Sequence, residues 1–407
     1  MTEPLLIFRL TGHNRTAMRS LIASLEAAGE PPESVRAVRE LPELDDLPAD
    51  APAVFLFSAM TADLDRSVAE MRQLRGRFPN ARFIIGGPHA SARPREVIEL
   101  GFDHAAVGEG EETIRAIAER VGAGRSFDGV RGLFRLQGGE LAGEAAPPVD
   151  IERFPMMAHH AKLYGPIEIT RGCASVCRYC QTSFFHGVAE RWRSREAILT
   201  AVRELAAREF AYYRFLSPNA LGWHNPDGRT PEPLHELLAA IRDTVGPRRK
   251  VIFGTFPAEI RPEFATRENM AVIKRYCDNP IIVVGGQSGS DRMLEHMHRG
   301  HTVADIHRAV ENTKAAGLHP IVDLIFGLPG ETPDDLALTV TLMEQLLAQG
   351  AHIRGHIFMP LPGTPWEHEA PGAVPADLLK RFKWMSSRGM LSGCWEEQSV
   401  LNRRAGN

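Results

Sequence analysis

Short apolar runs recur through the first third of the chain, and amphipathic stretches separate several of them. The apolar runs are Leu5–Phe8, Val35–Val38, Val54–Phe57, Phe83–Ile85 and Ala105–Val107. Helical patterns lie between several of these runs, around residues 14–28, 61–77 and 110–121. Because strands alternate with helices, the pattern predicts an α/β fold with an open, Rossmann-like parallel sheet covered by helices on both faces.

The same alternation resumes after a connecting stretch, with longer units. The predicted strands are Ile167–Thr170, Tyr213–Leu216, Val251–Gly254, Ile281–Val284, Ile321–Phe326 and Ile353–Phe358. The predicted helices lie near residues 194–208, 232–244, 262–276, 303–316 and 333–348. Strands and helices alternating in this way predict a curved parallel sheet, a partial or full barrel, whose functional groups collect at the carboxyl ends of the strands.

These patterns divide the chain into four predicted segments. The open sheet occupies residues 1–125, and a linker with a small hairpin follows over residues 126–160. The barrel occupies residues 161–370, and residues 371–407 form a helical extension.

The composition narrows the class of protein. Hydrophobic residues make up 43% of the chain, charged residues 24%, and the formal net charge is −4. No Lys/Arg run favours a nucleic-acid substrate, and no apolar stretch is long enough to span a membrane. The first residues lack the pattern of a secretory signal. Five cysteines, three of them clustered, suit a reducing cytoplasm.

The three clustered cysteines carry the most informative chemistry. Cys173, Cys177 and Cys180 have the spacing C-x3-C-x2-C and directly follow the first predicted barrel strand. Three thiolates cannot pair off as disulfides, but they can hold three irons of a four-iron cluster and leave the fourth iron open. The alternative is a zinc site, for which nearby His186 would be the fourth ligand.

Glycine-rich loops follow several other predicted strands. In the first sheet they are Gly86-Gly87 and Gly108-Glu109, and in the barrel they are Gly285–Ser290 and Gly327–Thr332. Glycines let a backbone approach a ligand closely, while Gln287 and Ser288 offer hydrogen bonds to hydroxyl groups. For Glu331 and Thr332, a structural role is about as well supported as a role in ligand binding, because Thr332 with Asp335 fits a helix cap.

Together these barrel motifs resemble the radical SAM family, whose members bind a [4Fe-4S] cluster and S-adenosylmethionine (SAM) in a partial (β/α)6 barrel. The resemblance implies that Tyr179 lies near the adenine, that Gln287 and Ser288 contact the ribose and methionyl groups, and that Gly327 and Gly330 flank the adenine. The family often has Gly-Gly-Glu after the second strand. This chain has Ser217 and Asn219 there, which we expect to replace that contact.

The first sheet resembles the cobalamin-binding domain that precedes many radical SAM domains. The resemblance implies cofactor contacts at Gly86, Gly87, Gly108 and Glu109. Better known cobalamin domains carry Asp-x-His-x-x-Gly, whose histidine ligates cobalt, whereas Thr11–Thr16 departs from that pattern. The favoured interpretation of His13 in this loop is therefore a hydrogen-bonding loop residue.

Other reactive side chains receive structural interpretations. His296, His298 and His301 cluster after the fourth barrel strand, where a metal trio is an alternative to solvated histidines. Cys394 in the C-terminal tail is expected to be an ordinary packed thiol, and Cys277 to be buried or inert.

The combined resemblance implies a cytoplasmic enzyme that uses SAM, a [4Fe-4S] cluster and cobalamin. Radical C-methylation of an unactivated carbon in a small molecule is the leading expectation. The expected electron donor is a flavodoxin- or ferredoxin-type reductant. A cyclase or rearrangement enzyme is the nearest alternative, and a non-catalytic cobalamin or cluster sensor is the alternative of another class. A methylthiotransferase is disfavoured because the first 172 residues contain no cysteine for a second cluster.

Overall fold

The computed structural model describes residues 5–228 and 230–405, and these form two compact units. The N-terminal unit extends to Gly165 and also includes Phe184–Gly187. The C-terminal unit comprises Pro166–Ser183 and the chain from Val188 onward. Within the described residues, no helix combines the length and apolar character needed to cross a bilayer.

The N-terminal unit is an open sheet with helices on both faces. Its strands are β1 (Leu5–Arg9), β2 (Val35–Val38), β3 (Ala53–Ser58), β4 (Arg82–Gly86), β5 (His104–Ala106), β6 (Leu133–Gln137) and β7 (Glu140–Gly143). Its helices are α1 (Arg15–Ala27), α2 (Leu64–Arg77), α3 (Pro88–Ala92), α4 (Pro94–Glu99) and α5 (Glu111–Gly122). The strand order is β2-β1-β3-β4-β5-β6-β7, and the first five strands are parallel.

Alternating side chains of the central strands supply two separate cores. Ile7, Phe55 and Phe83 belong to the core on one face, while Phe8 and Leu56 belong to the core on the other. Successive side chains point to opposite faces of the sheet, and both faces are buried. The strands are therefore continuous apolar runs in the sequence.

The predicted hairpin lies in this sheet rather than in an independent linker. β6 pairs antiparallel with β5, and β7 pairs antiparallel with β6. The hairpin therefore covers the edge that β5 would otherwise expose, which the local turn pattern did not reveal.

The C-terminal unit begins with short strands around the cysteine loop. Its strands are β8 (Ile167–Glu168), β9 (Thr170–Arg171), β10 (Arg191–Trp192), β11 (Tyr212–Leu216), β12 (Lys250–Ile252), β13 (Ile281–Gln287), β14 (His319–Phe326), β15 (His352–Ile357) and β16 (Leu391–Ser392). The helices from residue 181 onward are α6 (Gln181–His186), α7 (Arg195–Ala207), α8 (Glu232–Val245), α9 (Arg267–Tyr276), α10 (Asp291–His296), α11 (Val303–Ala315), α12 (Pro333–Ala348), α13 (Ala376–Ser387) and α14 (Trp395–Ala405).

Two parallel sheets make up the barrel wall. One has the order β12-β11-β8 and the other β13-β14-β15-β16. A parallel bridge between Ile260 and Val284 joins the segment after β12 to β13, so the wall continues from one sheet to the next. The predicted partial barrel is thus confirmed. β16 adds a short strand inside the segment that was predicted to be only helical.

Candidate cluster and cofactor site

The three clustered cysteines lie in the loop between β9 and α6. Cys177 is buried, whereas Cys173 and Cys180 are partly exposed, and all three are free thiols. The loop is held by its own hydrogen bonds: the amide of Cys180 donates to the carbonyl of Cys177 at 3.0 Å, and the hydroxyl of Ser183 donates to the carbonyl of Cys173 at 2.8 Å. The thiols are therefore fixed by the backbone rather than by each other.

The local electrostatics disfavour a free thiolate at Cys180. Burial raises the pKa of the Cys180 thiol, and the neighbouring thiols of Cys177 and Cys173 add to that rise. The hydroxyl and amide of Thr182 oppose it, and the amide donates to Cys180 Sγ at 3.5 Å. Iron would supply the positive charge that deprotonated ligands in such a place require. The donor set therefore fits an iron–sulfur cluster.

The alternative of a single zinc ion finds less support in the structure. Nδ1 of His186, the fourth ligand in that alternative, lies 3.1 Å from Oε1 of Glu109. Among the described residues, no three His, Cys, Asp or Glu side chains surround a common ion position. Thiolates that each bind a different iron of a cluster need no such common position.

Arg299 joins the cysteine loop to the glycine-rich loop at the end of β13. Its Nη1 lies 3.6 Å from Cys177 Sγ and donates to the hydroxyl of Tyr179 at 3.3 Å. Its Nη2 donates to the carbonyl of Gly285 at 2.6 Å. Burial raises the pKa of Tyr179, which keeps its phenol neutral. Sequence reasoning missed Arg299, because a single arginine after a helix carries no pattern.

The pairing of β13 with β14 shifts register between Val284 and Gln287, so the carbonyls of Gly285 and Gly286 accept hydrogen bonds from side chains. His301 Nε2 donates to the carbonyl of Gly286 at 3.0 Å. Burial, aided by the charge of Arg299, lowers the pKa of His301 to about 3, so the ring is neutral. A Cβ on Gly286 would lie 2.8 Å from Val322 Cγ1, which explains the glycine.

The interpretation of the histidine cluster as solvated is therefore wrong for His301, which is only 5% exposed. His296 packs against the ring of Trp366 at 5.2 Å, and His298 Nε2 lies 3.2 Å from Arg178 Nη2. Each of the three rings thus has its own protein neighbour. Cys394 is another correction, since this thiol is exposed rather than packed.

The two predicted SAM contacts that follow the β13 glycines are both buried. Gln287 has a left-handed backbone with φ of 74°, a strained conformation for a residue with a side chain. The Ser288 hydroxyl lies 3.2 Å from that of Thr339 and accepts from the amide of Ser290 at 3.2 Å. Ser288 therefore anchors the loop to α12, and the SAM contacts of Gln287 and Ser288 stay predictions.

The loop after β14 is closed by its own glutamate. Glu331 Oε2 accepts from the amide of Gly327 at 2.9 Å, and burial raises the pKa of Glu331 to about 7. Gly327 has φ of 69°, and a Cβ there would lie 2.8 Å from the carbonyl oxygen of Gly372. Gly330 is also left-handed, and Thr332 forms the expected cap of α12. The adenine contacts of Gly327 and Gly330 stay predictions.

The loop after β11 also uses its own polar groups. The hydroxyl of Ser217 donates to the carbonyl of Asn219 at 2.8 Å, and Asn219 Oδ1 accepts from the amide of Arg261 at 3.4 Å. Both side chains are buried. Their predicted contact with the SAM amino group stays a prediction.

Sequence reasoning also missed a group of polar side chains on β14, on β15 and in the segment between β12 and β13. Arg354 donates to Asp323 Oδ1 at 2.6 Å and contacts the carboxylate of Glu259. Burial raises the pKa of Asp323 and of Glu259, and burial with the charge of Arg354 lowers the pKa of His356 to about 4. These residues have unrelated sequence positions, so only the barrel brings them together.

In the N-terminal unit, the strand order reverses between β1 and β3, where ligands of such sheets bind. Asn14 joins the two loops there, since its Nδ2 donates to the carbonyls of Arg9 at 3.0 Å and Ser58 at 3.1 Å. His13 Nδ1 lies 3.0 Å from both carboxylate oxygens of Asp63. The expected role of His13 as a hydrogen-bonding loop residue agrees with this contact.

The predicted cofactor residues of this unit contact their own chain. A Cβ on Gly87 would lie 2.8 Å from Ser58 Oγ, and one on Gly108 would lie 2.5 Å from the carbonyl oxygen of Ala146. Glu109 accepts from the amide of Val149 at 2.7 Å and contacts His186. Cobalamin contacts at Gly86, Gly87, Gly108 and Glu109 stay predictions.

Comparison with known families agrees with this division of the chain. The radical SAM superfamily model matches residues 167–343, and the B12-binding domain model matches residues 16–118. A radical SAM domain implies a [4Fe-4S] cluster and SAM, and a B12-binding domain implies cobalamin.

This chain matches only part of the length of its sequence relatives. An uncharacterised protein of Methanopyrus kandleri is 27% identical over 75% of this chain and 68% of its own length. A tRNA-2-methylthio-N(6)-dimethylallyladenosine synthase of Porphyromonas gingivalis is 30% identical over 66% of this chain and 58% of its own length. The chain spans about half the length of the similar synthase from Bartonella bacilliformis, of which 47% is covered.

Solved structures share the fold. The radical SAM methyltransferase TsrM of Kitasatospora setae, with cobalamin and a [4Fe-4S] cluster, has a TM-score of 0.68 at 17% identity, covering 90% of this chain and 77% of that one. The cobalamin-dependent SAM radical enzyme OxsB has a TM-score of 0.67 at 16% identity, covering 84% and 52%. The predicted resemblance is confirmed at the level of domains: residues 16–118 match a B12-binding domain, and residues 167–343 match a radical SAM domain.

Proposed function

We propose that this protein is a cobalamin-dependent radical SAM enzyme that methylates an unactivated carbon of a small molecule. The observation that carries the proposal is the loop of three free cysteines, tied by Arg299 to the glycine-rich loop after β13. This arrangement joins a cluster ligand set to backbone carbonyls at the carboxyl end of a barrel strand, where radical SAM chemistry takes place.

The cofactors would supply the electron that cleaves SAM to methionine and a 5′-deoxyadenosyl radical, and the methyl group for the substrate. Cys173, Cys177 and Cys180 would hold the cluster. The β13 and β14 loops would bind SAM through backbone groups, since most of their polar side chains contact the chain itself. The loops after β1 and β3, where the strand order reverses, would hold cobalamin.

The barrel residues Glu259, Asp323, Arg354 and His356 are candidates for substrate contacts. Arg354 already contacts two carboxylates, and the pKa of His356 near 4 leaves its ring neutral at physiological pH. A neutral ring beside these charges can donate or accept one hydrogen bond. We infer a substrate with polar groups next to the carbon that reacts, rather than a purely hydrocarbon one.

The decisive experiment uses anaerobically reconstituted protein with dithionite and SAM. We expect release of 5′-deoxyadenosine and methionine, measured by mass spectrometry. A protein that holds a complete four-iron cluster and releases no 5′-deoxyadenosine would support the sensor alternative instead. Protein purified from cobalamin-fed cells should show a corrinoid in its visible spectrum, and absence of a bound corrinoid would remove the methyl-transfer part of the proposal.

A methylthiotransferase is a second candidate because several sequence relatives have that activity in their names. The chain offers only Cys277 and Cys394 beyond the three clustered cysteines. These 407 residues therefore do not supply three further cysteine ligands for a second cluster. Iron analysis separates the candidates: about four irons per chain fits our proposal, and about eight fits a methylthiotransferase.

A physiological flavodoxin or ferredoxin would replace dithionite in the cytoplasm.

A further inference from the structure

The guanidinium of Arg299 is a buried cation with an unusual set of neighbours. The residue is 8% exposed, and no carboxylate lies within ion-pair distance of it in the part of the chain that the structure describes. Glu263 and Asp323 act on Arg299 only through space, since their ion-pair partners are Arg261 at 2.6 Å and Arg354. Nε of Arg299 also has no hydrogen-bond partner. A buried cation that no carboxylate contacts is costly, so an anion in contact with Arg299 would stabilise this site.

The contacts of Arg299 identify that partner. Its two terminal nitrogens point to Cys177 Sγ, the Tyr179 hydroxyl and the Gly285 carbonyl, and only the sulfur among these acceptors becomes an anion on binding metal. A four-iron cluster with three thiolate ligands carries net negative charge, and its reduced form carries one more. Arg299 therefore gains more favourable Coulomb energy with the reduced cluster than with the oxidised one.

We propose that Arg299 is a positioning residue that raises the reduction potential of the cluster by placing a buried positive charge and a hydrogen bond at the sulfur of Cys177. Hydrogen bonds to cluster sulfurs and local charge are established determinants of such potentials. This inference rests on the proposed function, because it requires the cluster. The reaction concerned is the one-electron reduction of the cluster by an external reductant, without SAM.

The orientation of Arg299 is itself fixed from two sides. Its carbonyl accepts from Arg261, and its amide donates to the carbonyl of Leu294 at 2.9 Å, so the backbone cannot turn away. His301, two residues on, contacts the next carbonyl of the same β13 loop. The same short segment thus fixes both the loop carbonyls and the charge at Cys177.

The test is a potentiometric titration of the reconstituted cluster, followed by electron paramagnetic resonance (EPR), in the absence of SAM. We expect Arg299→Met to lower the reduction potential, with iron and sulfide content unchanged. Arg308→Met is the matched control, because it removes the same charge from an exposed side chain paired with Asp305. Its potential should equal that of the wild type. Measuring without SAM excludes an indirect effect through SAM binding.

Arg299→Gln provides a second variant if Arg299→Met does not retain the cluster. It keeps polar hydrogens near Gly285 but removes the charge, so its potential should also fall. A loaded variant with the wild-type potential overturns the proposal, and so does loss of the cluster from both variants, which would make Arg299 a structural clamp only. A wild-type protein that cannot assemble a four-iron cluster would instead overturn the proposed function.

Discussion

The glycine-rich loops of the two units look alike in sequence, but they need their glycines for different structural reasons. In the C-terminal unit, Gly285 and Gly286 turn their carbonyls to Arg299 and His301 beside the cysteine loop. In the N-terminal unit, Gly87 has a left-handed backbone that passes close to Ser58 and Ala59 of the same unit. The β13 glycines therefore belong to a loop that contacts a buried cation, whereas Gly87 is required by close packing within its own unit.

The largest effect is expected at the cysteines of the C-terminal unit, where we predict complete loss of the cluster and of SAM cleavage. Cys177→Ala removes one of only three cluster ligands, so it should abolish both the four-iron spectrum and the release of 5′-deoxyadenosine. Absorption spectroscopy and iron analysis measure the first, and mass spectrometry the second. Cys277→Ala is the control, since its thiol lies outside the loop and burial raises its pKa. A four-iron spectrum in Cys177→Ala would contradict the ligand assignment.

The next effect concerns the strand that leads into the cysteine loop. Glu168 contacts Arg171 at 2.7 Å and Arg193 at 3.1 Å. Burial would raise the pKa of Glu168, but these two arginines lower it to about 2. Glu168→Gln removes the buried carboxylate that contacts both guanidiniums, and we expect a loss of about 3–5 kcal/mol in the free energy of unfolding at pH 7. Urea unfolding followed by circular dichroism measures it.

The same ion cluster predicts a pH dependence. The pKa of Glu168 is lower in the folded protein than in the unfolded chain, so its contribution is complete above about pH 4.5. It is lost as the pH falls toward 2. The stability difference between the wild type and Glu168→Gln should therefore shrink over that window. Glu196→Gln is the control, because Glu196 is an exposed partner of Arg203. A difference that stays constant down to pH 2 would argue against a charged Glu168.

A smaller effect tests the role of the N-terminal glycines. A Cβ on Gly87 would lie 2.8 Å from Ser58 Oγ and 2.9 Å from the carbonyl oxygen of Ala59, at φ of 92°. We expect Gly87→Ala to cost about 1–3 kcal/mol of stability. Gly12→Ala at the same edge of the sheet meets no atom within 4 Å and should be close to neutral. Equal thermal midpoints for the two variants would show that Gly87 is not required for packing.

Much of the molecule followed from sequence because its signals are local. Continuous apolar runs predicted the strands, and the spacing of three cysteines between residues 173 and 180 predicted the ligand loop. The rest depends on pairs that are distant in sequence. Arg299 contacts Cys177 across 122 positions, and Arg354 contacts Glu259 across 95. The hairpin was predicted, but its pairing with β5 was not, since an edge strand carries no sequence mark of its partner.

The smallest expected effect is at His13, the histidine that lies in the loop where better known cobalamin domains have their cobalt ligand. Its ring is 66% exposed and contacts Asp63, which Arg66 also binds at 2.7 Å. Arg66 already supplies the positive partner that this carboxylate needs, so Asp63 does not depend on the histidine. We expect His13→Ala to retain the corrinoid and the EPR spectrum of its Co(II) form. Loss of nitrogen coupling from that spectrum in the variant would make His13 a cobalt ligand, and the N-terminal unit would then hold its cofactor by side chain as the cysteine loop does.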